Sequence, residues 1–375
     1  MDHNRTVIHV IGGGEYGGAE QHILQLLNLL PNYGFKGKVI CFYEAAFSKE
    51  LRKRGIEVEV LAFDRFDFRL LTGLRDAFER DRPHIIHTHG VKANFFGRLA
   101  ARKVIDIPLV TTVHSLLRFD YTNQLAYFFA SRMEKWTRTI SDHFIAVSSS
   151  IARSLEEDGV SAEKISVVHH GIDVDYFAQG SPVLRQELGL SEGSYCIGIV
   201  SRLVKIKGIE EAIRALPLIL EANPDAHLVV VGAGPEEGAL KALVEQLNLG
   251  SHVHFAGFRK DIANCLHSFD CLVSASHSEG LGLNILEAMA ASVPVVVTGV
   301  GGILDFTQDR ENGLMFEKGS SRDLADKVIE VMNNPELAEN LAKEALRRVQ
   351  ESFSLDTMLR NTARLYEHLL EESNG

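Results

Sequence analysis

The chain reads as an α/β protein built from two doubly wound parallel-sheet domains in tandem, and three observations predict this. Its 375 residues suit two domains of ordinary size. Short β-branched runs alternate with longer segments of helical period, as repeated strand–helix units do. The series of runs also stops and begins again near the middle of the chain.

The first series places strands at Thr6 to Ile11, Lys38 to Tyr43, Glu57 to Leu61, His84 to His87, Leu109 to Val113, His143 to Val147 and Ile165 to Val168. The second places them at Tyr195 to Val200, Ala226 to Val231, His252 to Phe255, Cys271 to Ser274, Val293 to Val297 and Leu314 to Phe316. Asp173 to Ser194, with Gly180-Ser181-Pro182 and a short helical piece, reads as the linker. The domains are therefore expected at residues 1–180 and 190–355, with ligands at the carboxyl ends of the strands in a cleft between them. The final helix carries Met358, Leu359, Leu365 and Leu369 at helical spacing, so segment 356–375 is expected to pack back on the first domain.

Composition sets limits on function. With 45% hydrophobic and 24% charged residues and a mean hydropathy of zero, the chain is globular and neither disordered, collagenous nor coiled coil. Apolar runs such as Val293 to Thr298 fall far short of the ~18 residues a spanning helix needs. The start, Met1-Asp2-His3-Asn4-Arg5, lacks a signal layout, so a cytoplasmic protein is expected. Cys41, Cys196, Cys265 and Cys271 show no CxxC spacing and read as buried free thiols. Residues 1–187 hold 23 basic and 23 acidic side chains, and residues 188–375 hold 16 and 27, so the net charge of −11 lies wholly in the second half. No basic domain or stripe of the kind a nucleic-acid binder carries is present, and that class is set aside.

Several constellations carry chemistry. The first strand runs into Gly12-Gly13-Gly14-Glu15-Tyr16-Gly17-Gly18-Ala19-Glu20 and an apolar-periodic helix, a place where backbone N–H groups approach an anion. Gly12, Gly14 and Gly17 also satisfy GxGxxG, with Glu44 after the second strand where a dinucleotide ribose acid would sit, so a nicotinamide-dependent oxidoreductase is a rival reading. A merely tight turn is the other. His87 and His89 close a strand on one face, and without a nearby third ligand they make a poor metal site and read as cleft-lining. His114 ends the next strand, as a cleft residue or a structural one. In Gly198 to Gly208, Arg202 and Lys207 stand at a strand end beside a helix, where two cations suit a diphosphate, unless they are solvated surface charges. The most specific string runs from Ser276 to Ala290: Glu279 and Glu287 flank a turn opened by Gly280 and Gly282, and the N–H groups around Gly282, Leu283 and Asn284 can hold phosphate.

Taken together these residues resemble glycosyltransferase family 4, retaining enzymes of the GT-B fold with two Rossmann-like domains. The likeness runs from Gly17-Gly18-Ala19-Glu20 through His87-Thr88-His89, His114, Ser141-Asp142-His143, His169-His170-Gly171-Ile172-Asp173, Arg202 and Lys207 to Glu279 and Glu287. The resemblance implies a hexosyltransferase whose donor, a nucleotide sugar with UDP favoured and GDP possible, is held mainly by the second domain. Arg202 and Lys207 would bind and stabilise the diphosphate, assisted by Gly282, Leu283 and Asn284. Glu287 would take the ribose, Glu279 the donor sugar, and the base would lie near Gly257-Phe258-Arg259. Gly18 would approach the phosphates, and His114 the donor sugar near its reacting carbon. Gly17, His87 and His89 are assigned to the acceptor. Family members commonly have Phe where Leu281 stands.

No metal or other cofactor is expected, because Arg202, Lys207 and a helix terminus supply the charge. Asp173-Val174-Asp175 is the sole Asp-x-Asp string and reads as structural. The acceptor is expected to be a sugar, a polysaccharide precursor or a glycolipid. A nucleotide-sugar epimerase and a non-catalytic sugar-nucleotide binder of the same fold are the alternatives. From Lys92 to Arg138 the chain has eight Lys/Arg against three Asp/Glu, interleaved with Phe119, Tyr121, Tyr127, Phe128, Phe129 and Trp136. That stretch reads either as peripheral contact with the inner face of a membrane or as a core stripe of Leu125, Phe129, Met133, Trp136 and Ile140.

Overall fold

A computed structural model of the chain describes residues 5–374 apart from 15–16, 64–66, 105–106, 121–122 and 192. The chain divides into two units, Met1–Gly171 with Leu355–Gly375, and Ile172–Ser354. Each is an α/β unit with one all-parallel sheet.

The first sheet has the order β3-β2-β1-β4-β5-β6-β7, formed by β1 (Arg5–Ile11), β2 (Phe35–Cys41), β3 (Val58–Val60), β4 (Ile85–His89), β5 (Leu109–Val113), β6 (His143–Ala146) and β7 (Ile165–Val167). Side chains alternate between its faces. Val7, Phe35, Ile85, Val110 and Ile145 point to one face, where Met358, Leu359, Leu365, Tyr366 and Leu369 of the helix Leu355–Asn374 cover them. Ile8, Val10, Ile40, Ile86 and Leu109 belong to the opposite cluster with Leu74, Phe78 and Phe96. Burying both faces is what makes parallel strands read as continuous apolar runs. Each large side chain so buried contributes about 1.5–3 kcal/mol, which is why the terminal helix is part of this unit despite its place in the sequence.

The second sheet has the order β10-β9-β8-β11-β12-β13, from β8 (Tyr195–Val200), β9 (Ala226–Val231), β10 (Val253–Gly257), β11 (Cys271–Ser274), β12 (Val295–Thr298) and β13 (Leu314–Phe316). Ile197, Leu228, Val230, Val273 and Val296 pack in one cluster with Ile213, Leu216 and Ile219 of the helix Ile209–Ala222 and with Leu324 and Val328. The segment expected as a linker belongs to this unit. Phe177 and Leu184 are buried, the Leu184 amide donates to Ser268 Oγ at 3.1 Å, and Arg185 pairs with Asp270. The chain leaves the first unit at Gly171 and returns at Leu355.

Both sheets reverse their strand order once, between β1 and β4 and between β8 and β11. Loops leaving neighbouring strands diverge at such points and open a crevice at the strands' carboxyl ends. The four cysteines are buried and free. Among the described residues no helix is long and apolar enough to cross a membrane.

Candidate functional site

In the second unit the loops after β8 and β11 bring three expected residues to the switch point. The loop after β8 folds into a 3-10 turn at Lys205–Lys207 and then reaches Gly208, whose φ is +59° and whose missing side chain leaves room for the Ala275 carbonyl. An added Cβ there would lie 2.1 Å from that oxygen, so Gly208 lets the two loops touch. The His277 amide donates to the Ile206 carbonyl at 2.8 Å and fastens them again. Lys207 Nζ thereby meets Glu279 Oε1 at 2.5 Å, and Ser276 Oγ donates to the same oxygen at 2.7 Å. Glu279 is 8% exposed; burial this deep is tolerated because the carboxylate is paired and hydrogen-bonded. Arg202 is exposed and has no carboxylate partner among the described residues. The loop after β8 therefore carries one cation without a carboxylate partner among the described residues and one that is compensated.

The second loop ends at Gly282, φ +95°, which caps the helix Leu283–Ala290. The first amides of this helix have no acceptor within it and present partial positive charge. Asn284 Nδ2 donates to the Val200 carbonyl at 2.9 Å, which ties the helix start to the end of β8. Leu281 is buried at 4% and serves the packing of the turn. Glu287 lies farther along the helix, half-buried; desolvation pushes its carboxyl up to about 8. Phe258, just beyond β10, is 72% exposed, and Arg259 beside it is tied to Glu187 and Asp261. Asp173 of the Asp-x-Asp string caps the helix Val174–Ala178 by accepting from the Tyr176 amide, a structural use.

The first unit presents imidazoles instead of ions. His9 and His87 are register partners on β1 and β4, and a chain of ring contacts runs His9 Nδ1 to His89 Nε2, His89 Nδ1 to His114 Nε2 and His114 Nδ1 to His170 Nε2, each at 3.1 Å. His22 stacks on His170 with ring centroids 4.2 Å apart. Desolvation lowers His9 to about 3 and His114 to about 4 and holds His22, His87, His89 and His170 well below their ordinary value. These rings are neutral at pH 7, and each neutral ring donates through one nitrogen and accepts through the other.

Two expectations are corrected here. His87 is fully buried, with Nδ1 against Tyr366 Oη and Nε2 against Thr112 Oγ1, both at 2.6 Å. His89 is 1% exposed, with both nitrogens in the chain. Neither ring is exposed to an acceptor; His89 contacts His114 directly, and His87 lies behind His89 with ring centroids 4.1 Å apart. The absence of a third imidazole was the argument against a metal, and His9 supplies one: ligand atoms of His9, His87 and His89 lie within 4.8 Å of one another. Both ring nitrogens of His87 and of His89 are nevertheless already engaged in hydrogen bonds.

Gly17 caps the helix Gly18–Leu29, its amide donating to Glu20 Oε2 at 3.0 Å. Glu15 and Tyr16 of the same loop lie outside the described residues. Glu44, the acid of the dinucleotide reading, is spent on Arg52 and Ser48. His9, His22 and His170 were not singled out as site residues. The signal for His9 was a lone polar residue inside an apolar strand, but only the register of β1 with β4 reveals its partners.

Residues 16–176 match the model of Glycosyltransferase Family 4 and residues 181–348 that of Glycosyl transferases group 1. The chain is 28% identical over 323 residues to the N-acetyl-alpha-D-glucosaminyl L-malate synthase of Bacillus anthracis, covering 85% of this chain and 84% of that protein. It is 30% identical over 310 residues to an uncharacterized glycosyltransferase, MJ1607, of Methanocaldococcus jannaschii, covering 78% and 77%. Among solved structures, Anabaena Alr3699/HepE in complex with UDP and glucose superposes with a TM-score of 0.84 at 24% identity, over 97% of this chain and 100% of that one. Two switch-point crevices on parallel sheets, matched by both family models and by relatives along most of the chain, place it in glycosyltransferase family 4, with the GT-B fold.

Proposed function

We propose that the protein transfers a hexosyl group from a nucleoside-diphosphate sugar, with UDP the favoured carrier, to a hydroxyl of a sugar, polysaccharide precursor or glycolipid, with retention of configuration and without a metal. The observation that carries the reading is that the loop after β8, which holds Arg202 and Lys207, starts beside the helix that begins after Gly282, tied there by Asn284 Nδ2 and the Val200 carbonyl. The UDP complex of the structural neighbour supports the choice of base.

The chemistry follows from charge. As the bond from the anomeric carbon to the diphosphate oxygen breaks, the sugar becomes oxocarbenium-like and negative charge collects on the leaving phosphate. Fixed donors at that phosphate lower the barrier most, because their charge is already in place. Arg202 brings a guanidinium fork suited to phosphate oxygens, Lys207 a point charge, and the amides of Gly282, Leu283 and Asn284 a helix terminus. We assign Glu279 to the donor-sugar hydroxyls, Glu287 to the ribose, and the backbone at Phe258 to the base. From the first unit we assign Gly18 to the phosphates, His114 to the donor sugar and Gly17 to the acceptor. Attack from the face the phosphate leaves, with a phosphate oxygen taking the acceptor's proton, gives retention.

The test is thermal unfolding with UDP, GDP, ADP and NAD in parallel. A ligand at 100 times its dissociation constant stabilises by about 2.7 kcal/mol. Stabilisation by UDP alone is expected. Stabilisation by NAD alone would overturn the reading, and stabilisation by GDP or ADP alone would correct the base.

A further inference from the structure

The helix Gln124–Thr137 carries its apolar stripe on the wrong side for a core. Asn123 caps it by accepting from the Leu125 and Ala126 amides, and its inward face is the small and polar set Ala130, Glu134 and Thr137. Glu134 is held by Arg98 at 2.6 Å and by Asn94 at 2.8 Å, all three buried. This buried pair fixes the rotation of the helix, since turning it would strand both charges. Leu125, Phe129, Arg132 and Trp136, spaced i, i+4, i+7 and i+11, therefore face outward with Phe128 beside them. Leu125 is 70% exposed, Phe128 53%, Phe129 64% and Trp136 70%. The core stripe foreseen through Leu125, Phe129 and Trp136 is thus a surface stripe. The side chain of Phe119, and all of Tyr121, lie outside what the structure describes.

Isolated exposed hydrophobics need no explanation, but four on one helix face do. Trp136 also walls a hollow of about 520 Å³ with Leu99, Val104, Ile107 and Ile140, whose polar side is made by Arg102, Thr139 and Asp142. The charges beside it select the partner. Arg132 lies 5.9 Å from the Phe128 ring centroid, and Arg132, Lys135, Arg102 and Lys103 are exposed without a carboxylate partner among the described residues. A second copy docked face to face would set these cations against their own images. An anionic lipid surface neutralises them while its acyl boundary takes the aromatic rings.

We propose that this face of the first unit docks on an anionic bilayer, the helix Gln124–Thr137 lying in the interface with Leu125, Phe128, Phe129 and Trp136 inserted. The inference does not depend on the transfer reaction. The test is sedimentation of the full chain with vesicles of phosphatidylcholine alone and with added phosphatidylglycerol, together with its mass in solution by light scattering. Binding to the anionic vesicles is expected, weakening about tenfold or more in F129S/W136S and by at least about tenfold in R132E/K135E, while the cooperative thermal unfolding of the variants stays that of the parent chain and shows them folded. No binding to anionic vesicles, or binding that both variants retain, would overturn the proposal. A dimer that F129S/W136S turns into a monomer would assign the face to a second copy instead.

Discussion

The two units share one architecture and solve the placement of polar groups in opposite ways. At its switch point the second unit keeps formal charges: Lys207 against Glu279, and Arg202 without a carboxylate partner among the described residues. At its own the first unit keeps neutral imidazoles, six of them shifted down by burial. A charged crevice fits the diphosphate proposed for the second unit, whereas a neutral ring network fits the orienting of a single side chain, His114, in the first. The lesson is that the same fold position is electrostatically programmable by the few residues after two strands.

The largest break in this comparison is R202A. Because Arg202 is exposed and unpaired, its loss is expected to lower kcat by about 10²–10³-fold, the cost of one fixed transition-state donor, with the unfolding temperature unmoved. K207M is expected to lose turnover and stability together, since it strands the buried Glu279 carboxylate. Steady-state rates beside unfolding curves separate the two, and equal effects would remove the distinction between a free and a compensated cation.

Acid is the next probe. The buried histidines have folded-state pKa values below their unfolded value of about 6.5, so their neutral forms are fully accommodated above that pH. Stability falls as pH drops from there toward about 4 for His114 and about 3 for His9. At pH 5 the His9 and His114 rings each cost about 2 kcal/mol. Hydrogen exchange at pH 7.5 and 5 is expected to show residues around β1, β4 and β5 opening while β8 and β11 hold. Uniform loss across both sheets would contradict it.

A smaller effect concerns Glu287, whose carboxyl is raised to about 8. Ribose hydroxyls donating to it favour the carboxylate, so UDP binding at pH 7 is expected to release most of one proton. Calorimetry in buffers of different ionisation enthalpy reads that release, and E287Q abolishes it. Smallest of all is E44A: an exposed pair with Arg52 contributes little in water, and UDP affinity is expected to stay unchanged.

Legibility followed the same divide. The strands of both sheets, and the terminal helix by its Met358, Leu359, Leu365 and Leu369, were readable because burial on both faces imposes a local pattern. Arg202, Lys207 and Glu279 were readable because their motif is contiguous around two loops. The imidazole chain was not, since His9 meets His89 only through the pairing of β1 with β4, and no local period announces a register. β4 is buried along its whole length to His89, and this turned two supposed cleft rings inward. The helix Gln124–Thr137 misled for a related reason. Its apolar period was correct, but the buried Arg98–Glu134 pair, invisible in one dimension, decided which face points inward.

The central claim is that the cations after β8 hold a nucleoside diphosphate. Calorimetric titration of UDP into the full chain and into R202A tests it most directly. Loss of a charged hydrogen-bond donor to phosphate costs about 1.5–3 kcal/mol, so the account predicts affinity weakened by roughly 10- to 100-fold. Equal affinity in the two proteins would contradict it.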